Sequence, residues 1–115
     1  MAYDEKLAAR VRALLGDRPD VAERRMFGGL TFMVAGHMCC GVQGERLILR
    51  LGPEGAAEAL AGRRARPVDF TGRALTGFVT VDREDLGGRA LAAWVREAVD
   101  WEDSLPPKQR QRRPR

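Results

Sequence analysis

The amino-acid sequence predicts one α+β domain with two layers, in which an antiparallel sheet of about five strands is flanked by helices. Apolar residues recur at helical spacing near both ends of the folded part and once in its middle, whereas residues 21–51 form short apolar runs separated by glycine-containing turns. Helices and strands do not alternate as a parallel sheet would require. The predicted order is therefore α-β-β-β-β-α-β-α, and 115 residues give room for one such domain.

The first helix is predicted over residues 3–15. Leu7, Val11 and Leu15 recur at helical spacing, which places them on one face of the helix. Asp4 can act as the N-cap residue, and Gly16 follows where a helix commonly ends.

Four short strands of an antiparallel meander are predicted next. They lie at residues 21–26, 30–34, 37–42 and 46–51. The last strand has the clearest pattern, because Leu47 and Leu49 alternate with a set that includes Arg46, so that one face is apolar and the other partly charged. Residues 26–44 carry no formal charge, but glycines interrupt them every few residues, which favours turns between strands over a membrane span.

Beyond residue 51 the sequence predicts a short helix, a basic irregular segment, a fifth strand and a final helix. They lie at residues 53–61, 63–74, 78–81 and 82–103. Pro53 suits the first turn of its helix, and Gly62 follows where a C-cap belongs. Trp94 and Trp101 are seven residues apart and therefore share a face of the final helix.

The positive charge of the chain is concentrated at its C-terminal end. The formal net charge is +4, but residues 1–103 hold 15 cations against 16 acids. The remaining five cations are Lys108, Arg110, Arg112, Arg113 and Arg115. We therefore predict a folded domain over residues 1–103 and a disordered basic tail over residues 104–115.

The two cysteines, Cys39 and Cys40, are adjacent and cannot form the spaced framework of a small secreted domain. The first residues include acids and lack the apolar stretch of a signal peptide. Both observations indicate a cytoplasmic protein.

The sequence offers little to catalysis, and we predict that it has no catalytic residue, cofactor or metal and is not an enzyme. His37 would share a strand face with Cys39, but two ligands do not make a zinc site. We interpret the cysteines as packing residues, one in the core and one on the opposite face. The acid pairs at residues 84–85 and 102–103 are interpreted as helix-end or solvated-face charges.

Three basic groups are candidates for contact with a partner or with nucleic acid. They are the pair Arg24 and Arg25, the loop residues Arg63, Arg64 and Arg66, and the tail from Lys108 to Arg115. The alternative for the first two is a solvated surface interspersed with acids; the tail is either a non-specific electrostatic arm or a solubilising end. Phe27, Gly28 and Gly29 are predicted to form a structural turn.

The segment Arg25-Met26-Phe27-Gly28-Gly29-Leu30, followed by an apolar strand and by residues 35–38 and 46–50, resembles the N-terminal domain of the bacterial competence regulator TfoX, also called Sxy. The likeness continues through residues 77–81 and covers about residues 3–103. The resemblance implies a two-layer α+β domain with an antiparallel sheet. It also implies a link to transcription of DNA-uptake genes alongside the cyclic-AMP receptor protein, and it carries over no catalytic residues.

The regulators of this family continue into a C-terminal domain that the 115 residues do not contain. The expected function is that of a stand-alone TfoX-like regulatory domain that binds a protein of the transcription machinery, with the basic tail as a candidate for weak DNA contact. The alternative is a small interaction or chaperone-like module that forms a homodimer and has no role in transcription. Neither requires a membrane.

Overall fold

Three α-helices and six strands make up the described part of the chain, which in this computed structural model comprises residues 3–26, 28–62, 64–69 and 74–105. In chain order they are α1 (Glu5–Leu15), β1 (Val21–Met26), β2 (Gly29–Val34), β3 (His37–Gln43), β4 (Arg46–Arg50), α2 (Gly52–Ala61), β5 (Arg66–Asp69), β6 (Ala74–Asp82) and α3 (Gly88–Asp103). The predicted α+β class is confirmed.

The six strands form one antiparallel sheet in the order β1-β2-β3-β4-β6-β5. The first four strands are the predicted meander, because each connection is a short turn that places the next strand beside the last. After α2 the chain returns to pair β6 with β4, which leaves β1 and β5 as the two edges.

The helices cover one face of this sheet. Leu47 and Leu49 of β4 are fully buried in the core cluster, and that cluster also contains Val11 of α1, Ala59 of α2 and Leu91 of α3. Because residues of all three helices share one core with the same side of the sheet, the domain has the predicted two layers.

Local signals explain the start of α1. Asp4 is the N-cap, and its Oδ1 accepts hydrogen bonds from the backbone N–H groups of Lys6 and Leu7 at 2.9 and 3.0 Å. The helix begins at Glu5 and not at Tyr3, because Tyr3 forms a parallel bridge with Gly44 in the turn between β3 and β4.

Three features beyond α2 differ from the prediction: an additional strand, the start of β6 at Ala74 and not at residue 78, and the later start of the final helix. The segment predicted to be irregular contains β5, so the sheet has six strands among the described residues instead of five. Pro67 lies in this strand, which an edge position tolerates because an edge strand pairs on one side only. The final helix begins at Gly88 and not at residue 82, since Arg83–Asp85 form a separate 3-10 turn.

The prediction that only one cysteine fills the core is wrong. A register shift between β2 and β3 pairs Phe32 with Cys40 and Met33 with Met38, which leaves Cys39 as the extra residue of a β-bulge. A bulge interrupts the alternation of side chains across a strand, and both cysteines are fully buried in the same core cluster. The neighbouring thiol of Cys39, together with burial, raises the pKa of Cys40 well above its ordinary value.

The uncharged stretch over residues 26–44 contains β2 and β3 and the turns around them. Among the described residues, no helix has the length and apolar character needed to cross a bilayer.

Candidate functional site

The sheet face turned away from the helices is the first candidate surface, and we call it the open face. Its central row consists of directly paired residues from all six strands, in the order Arg24, Thr31, Gly41, Ile48, Thr80 and Arg66. Ile48 is 6% exposed, yet it lies outside the core cluster that Leu47 and Leu49 share with the helices. No described helix therefore packs on this face.

The middle of the open face is apolar and shallow. Met33 and Met38 are partners across β2 and β3 and are half-buried. Met26, Met38 and Ile48 border a depression of about 40 Å³ with the backbone of Gly41 beneath it. This volume lies far below the roughly 300 Å³ at which small-molecule sites begin. Contact with another macromolecule suits the surface better than a small ligand.

Cations surround the apolar centre of the open face. Arg24 and Arg46 are exposed and form no ion pair with a described residue, whereas Arg66 is paired with Asp82. The hydroxyl of Thr80 is buried and has no hydrogen-bond partner among the described residues. The face thus combines an apolar centre, a Thr80 hydroxyl that forms no hydrogen bond with a described residue, and a rim with net positive charge.

Those basic residues predicted as contacts that the structure describes do not form one patch. Arg24 and Arg66 lie at opposite edges of the open face, and Arg25 is paired with the inward-facing Leu30, so it projects towards the helix side. The guanidinium of Arg64 lies 4.8 Å from the ring centroid of Trp94 on α3. Arg63 and the tail cations Lys108, Arg110, Arg112, Arg113 and Arg115 lie outside the described residues.

The turn between β1 and β2 contains two glycines at positions where a larger residue would not fit easily. Gly28 has a φ of +77°, a conformation that side chains with a Cβ rarely adopt. Gly29 is paired with Met26, and a Cβ at this position would overlap the carbonyl oxygen of Val42 in β3. Phe27 lies outside the described residues, and the structural role of the turn stays a prediction.

A groove between α2 and α3 is the second candidate surface, and we call it the acidic groove. It measures about 560 Å³, and its charged lining residues are Glu54, Glu97 and Asp100. The indole of Trp101 forms part of its wall. Gly52 supports this ring so closely that a Cβ would overlap it, and the guanidinium of Arg50 lies 4.8 Å from its centroid.

A buried carboxyl group, that of Glu102, follows Trp101 in the last turn of α3. The side chain of Glu102 is 1% exposed, and neither carboxyl oxygen has a hydrogen-bond partner among the described residues. The nearest cation is Arg50, whose Nη1 is 3.9 Å from Oε2. Burial raises the pKa of Glu102 to about 7, Arg50 opposes this, and Asp103 adds to it. Glu102 lies in the last turn of α3, as its interpretation as a helix-end charge had it, but the alternative of a solvated-face charge is wrong.

Sequence reasoning missed both surfaces for different reasons. The alternation in β4 already separated Arg46 from Leu47, but only the position of the helices shows which face stays open. For Glu102 the signal was available, because it continues the apolar stripe of Val95 and Ala98 at helical spacing.

The described residues contain no cluster of three or more histidine, cysteine or acidic side chains arranged to hold a metal ion. His37 is half-buried and paired with Val34 across β2 and β3. The predictions about catalysis, cofactors and metals remain predictions.

Comparison with known proteins gives one result at the level of the family. The model of the TfoX N-terminal domain matches residues 13–101, which contain all six described strands and all of α2. Searches of curated proteins and of solved structures found no match. The matched region covers far more than half of the 115 residues, so the chain belongs to the TfoX N-terminal domain family.

Proposed function

We propose that the chain is a non-catalytic, cytoplasmic regulatory domain that acts in transcription by binding a protein partner through the open face. The observation that carries this proposal is the apolar centre of that face, with Met33, Met38 and Ile48 on the side of the sheet that no described helix covers. Membership of the TfoX N-terminal domain family supports the link to transcription.

The chemistry of the open face favours a protein partner over autonomous recognition of DNA. Methionine side chains adapt to irregular apolar surfaces and are frequent at protein-binding sites. Arg24 and Arg46, which form no ion pair with a described residue, lie at its rim, where charges steer association more than they add affinity. Sequence-specific DNA binding usually places a helix or a β-ribbon in a groove, whereas this face is a broad sheet with few cations. The basic tail is a candidate for weak, sequence-independent DNA contact.

The test is capture of partners from a bacterial lysate by the immobilised full chain, followed by mass spectrometry. Three baits are compared: the natural chain, an open-face variant with Met33→Gln and Met38→Gln, and a control with Leu14→Gln. Leu14 is 45% exposed on α1 and lies on the other side of the sheet, so the control makes the same apolar-to-polar change away from the surface in question.

We expect the natural chain and the control to retain an RNA polymerase subunit or a transcription factor that the open-face variant loses. Equal capture by all three baits would show that the open face is not the binding surface. Recovery only of proteins unrelated to transcription would favour the chaperone-like alternative. A dimer in light scattering that the open-face variant converts to a monomer would favour self-association through the sheet.

A further inference from the structure

We infer that the acidic groove is the docking site of the basic tail, which binds there through its cations from Lys108 onward. This goes beyond the proposed function, because it concerns the helix side of the domain and needs no second protein. The evidence is the unpaired charge of the groove, the electrostatics of the end of α3, and the place where the described residues end.

The groove carries negative charge that the described residues do not neutralise. Glu54, Glu97 and Asp100 line it, none of the three forms an ion pair with a described residue, and no basic side chain is part of its lining. Arginine side chains favour sites of this kind, because they pair with carboxylates and also stack on aromatic rings such as that of Trp101.

The end of α3 increases the negative potential of the groove. The partial negative charge at the C-terminus of a helix is stabilised by cations, but the last turn of α3 has no basic residue and contains three acids. Asp103 is paired with Arg18 at 2.9 Å, and Glu102 is buried beside Arg50. Asp100 therefore remains in the groove without a cation from the described residues.

The chain leaves the described residues at the groove itself. Ser104 is one of the lining residues, and the sequence continues after Leu105 with five cations and no acid. Lys108 is three residues beyond Leu105, so an extended chain can carry it about 10 Å. Glu97 lies seven residues, or about 10 Å along the helix axis, before Ser104. The first tail cations can therefore reach the two carboxylates on α3, Glu97 and Asp100, and Glu54 lines the same groove. The short tether keeps their effective concentration high.

The experiment uses the full chain, labelled with ¹⁵N for NMR. Charged side chains are replaced by uncharged ones in two test variants and in one control. The tail variant replaces the five cations with glutamine: Lys108→Gln, Arg110→Gln, Arg112→Gln, Arg113→Gln and Arg115→Gln. The groove variant carries Glu54→Gln, Glu97→Gln and Asp100→Asn. A matched control carries Glu5→Gln, Asp17→Asn and Glu45→Gln, which change three exposed acids outside the groove.

At low salt, neutralising the tail is expected to shift the backbone amides of residues 97–101 and the indole N–H of Trp101. These shifts should shrink by more than half at high salt, because a Debye length of about 10 Å at 0.1 M falls to about 3 Å at 1 M. When the tail is neutralised in the groove variant, the same signals should not move. When the tail is neutralised in the control variant, they should shift as much as in the natural chain.

Signals that stay unchanged when the tail is neutralised would overturn the inference, as would shifts that persist in the groove variant. A synthetic peptide of ten residues with five arginines is then added to the tail variant. If the tail has no effect and this peptide still moves the groove signals, the groove binds a basic segment of another protein and its assignment to the tail is wrong.

Discussion

Replacement of Glu102 by glutamine tests whether the raised pKa of this buried carboxyl group makes the stability of the domain depend on pH. The carboxyl group is buried without a hydrogen-bond partner among the described residues, and its pKa is raised from 4.5 to about 7. A raised pKa means that the folded chain holds the proton more tightly than the unfolded chain. The stabilisation associated with the protonated group is therefore complete below about pH 4.5 and is lost as the pH rises to about 7 and above.

The magnitude follows from the two pKa values. A change from 4.5 to about 7 corresponds to about 3.4 kcal/mol of unfolding free energy at high pH. About 2.5 kcal/mol of this develops between pH 5 and pH 8. Glutamine has nearly the same shape as glutamic acid and does not titrate, so the difference in stability between the variant and the natural chain isolates this one group from the other acids.

The assay is urea unfolding of the natural chain, Glu102→Gln and the exposed control Glu45→Gln at half-unit steps from pH 5 to pH 8. We expect the stability of Glu102→Gln relative to the natural chain to rise by about 2.5 kcal/mol over this range, and that of the control to stay constant. A constant difference for Glu102→Gln would refute the reasoning. A difference of opposite sign would show that the ion pair with Arg50 outweighs burial.

Two further predictions concern the β1–β2 turn and the basic tail. Gly29→Ala should lower the melting temperature, because its Cβ would overlap the Val42 carbonyl oxygen, while Gly88→Ala, which has open space around it at the start of α3, should change it little. Partner binding lost at an unchanged melting temperature would instead make the turn a recognition site. Replacing the five tail cations with glutamine should abolish low-salt binding to labelled duplex DNA, which in the natural chain should fall steeply with salt. Salt-resistant, sequence-dependent binding by the variant would contradict the partner-protein proposal and point to the folded part.

The elements with local signals could be predicted from the sequence, and those that depend on distant pairing could not. Asp4 and Gly16 mark the two ends of α1, Asp4 through the hydrogen bonds that its side chain accepts and Gly16 through its positive φ. Turns that contain glycine separate the first four strands. β5 has no such signal, because it contains Pro67 and becomes a strand only by pairing with β6. The β-bulge at Cys39 likewise depends on the register with β2.

The candidate surfaces needed the three-dimensional arrangement for the same reason. A sequence shows that a strand has two faces, but the helices decide which one is buried. The positions of basic residues along the chain also carry no information about how far apart those residues lie in the folded domain. Arg24 and Arg66 are 42 positions apart, yet they lie at the two ends of the same row of paired residues.

The near-zero charge of residues 1–103 conceals two surfaces of opposite sign. Arg24 and Arg46 lie at the rim of the open face, and the carboxylates of the acidic groove lie on the helix side. A helix alone is about 10 Å across, which exceeds a Debye length of about 8 Å at physiological ionic strength. Binding at one surface therefore has little electrostatic effect on the other. If the tail binds in the acidic groove as inferred, a protein partner on the open face does not displace it, whereas DNA competes with the groove for the same five cations.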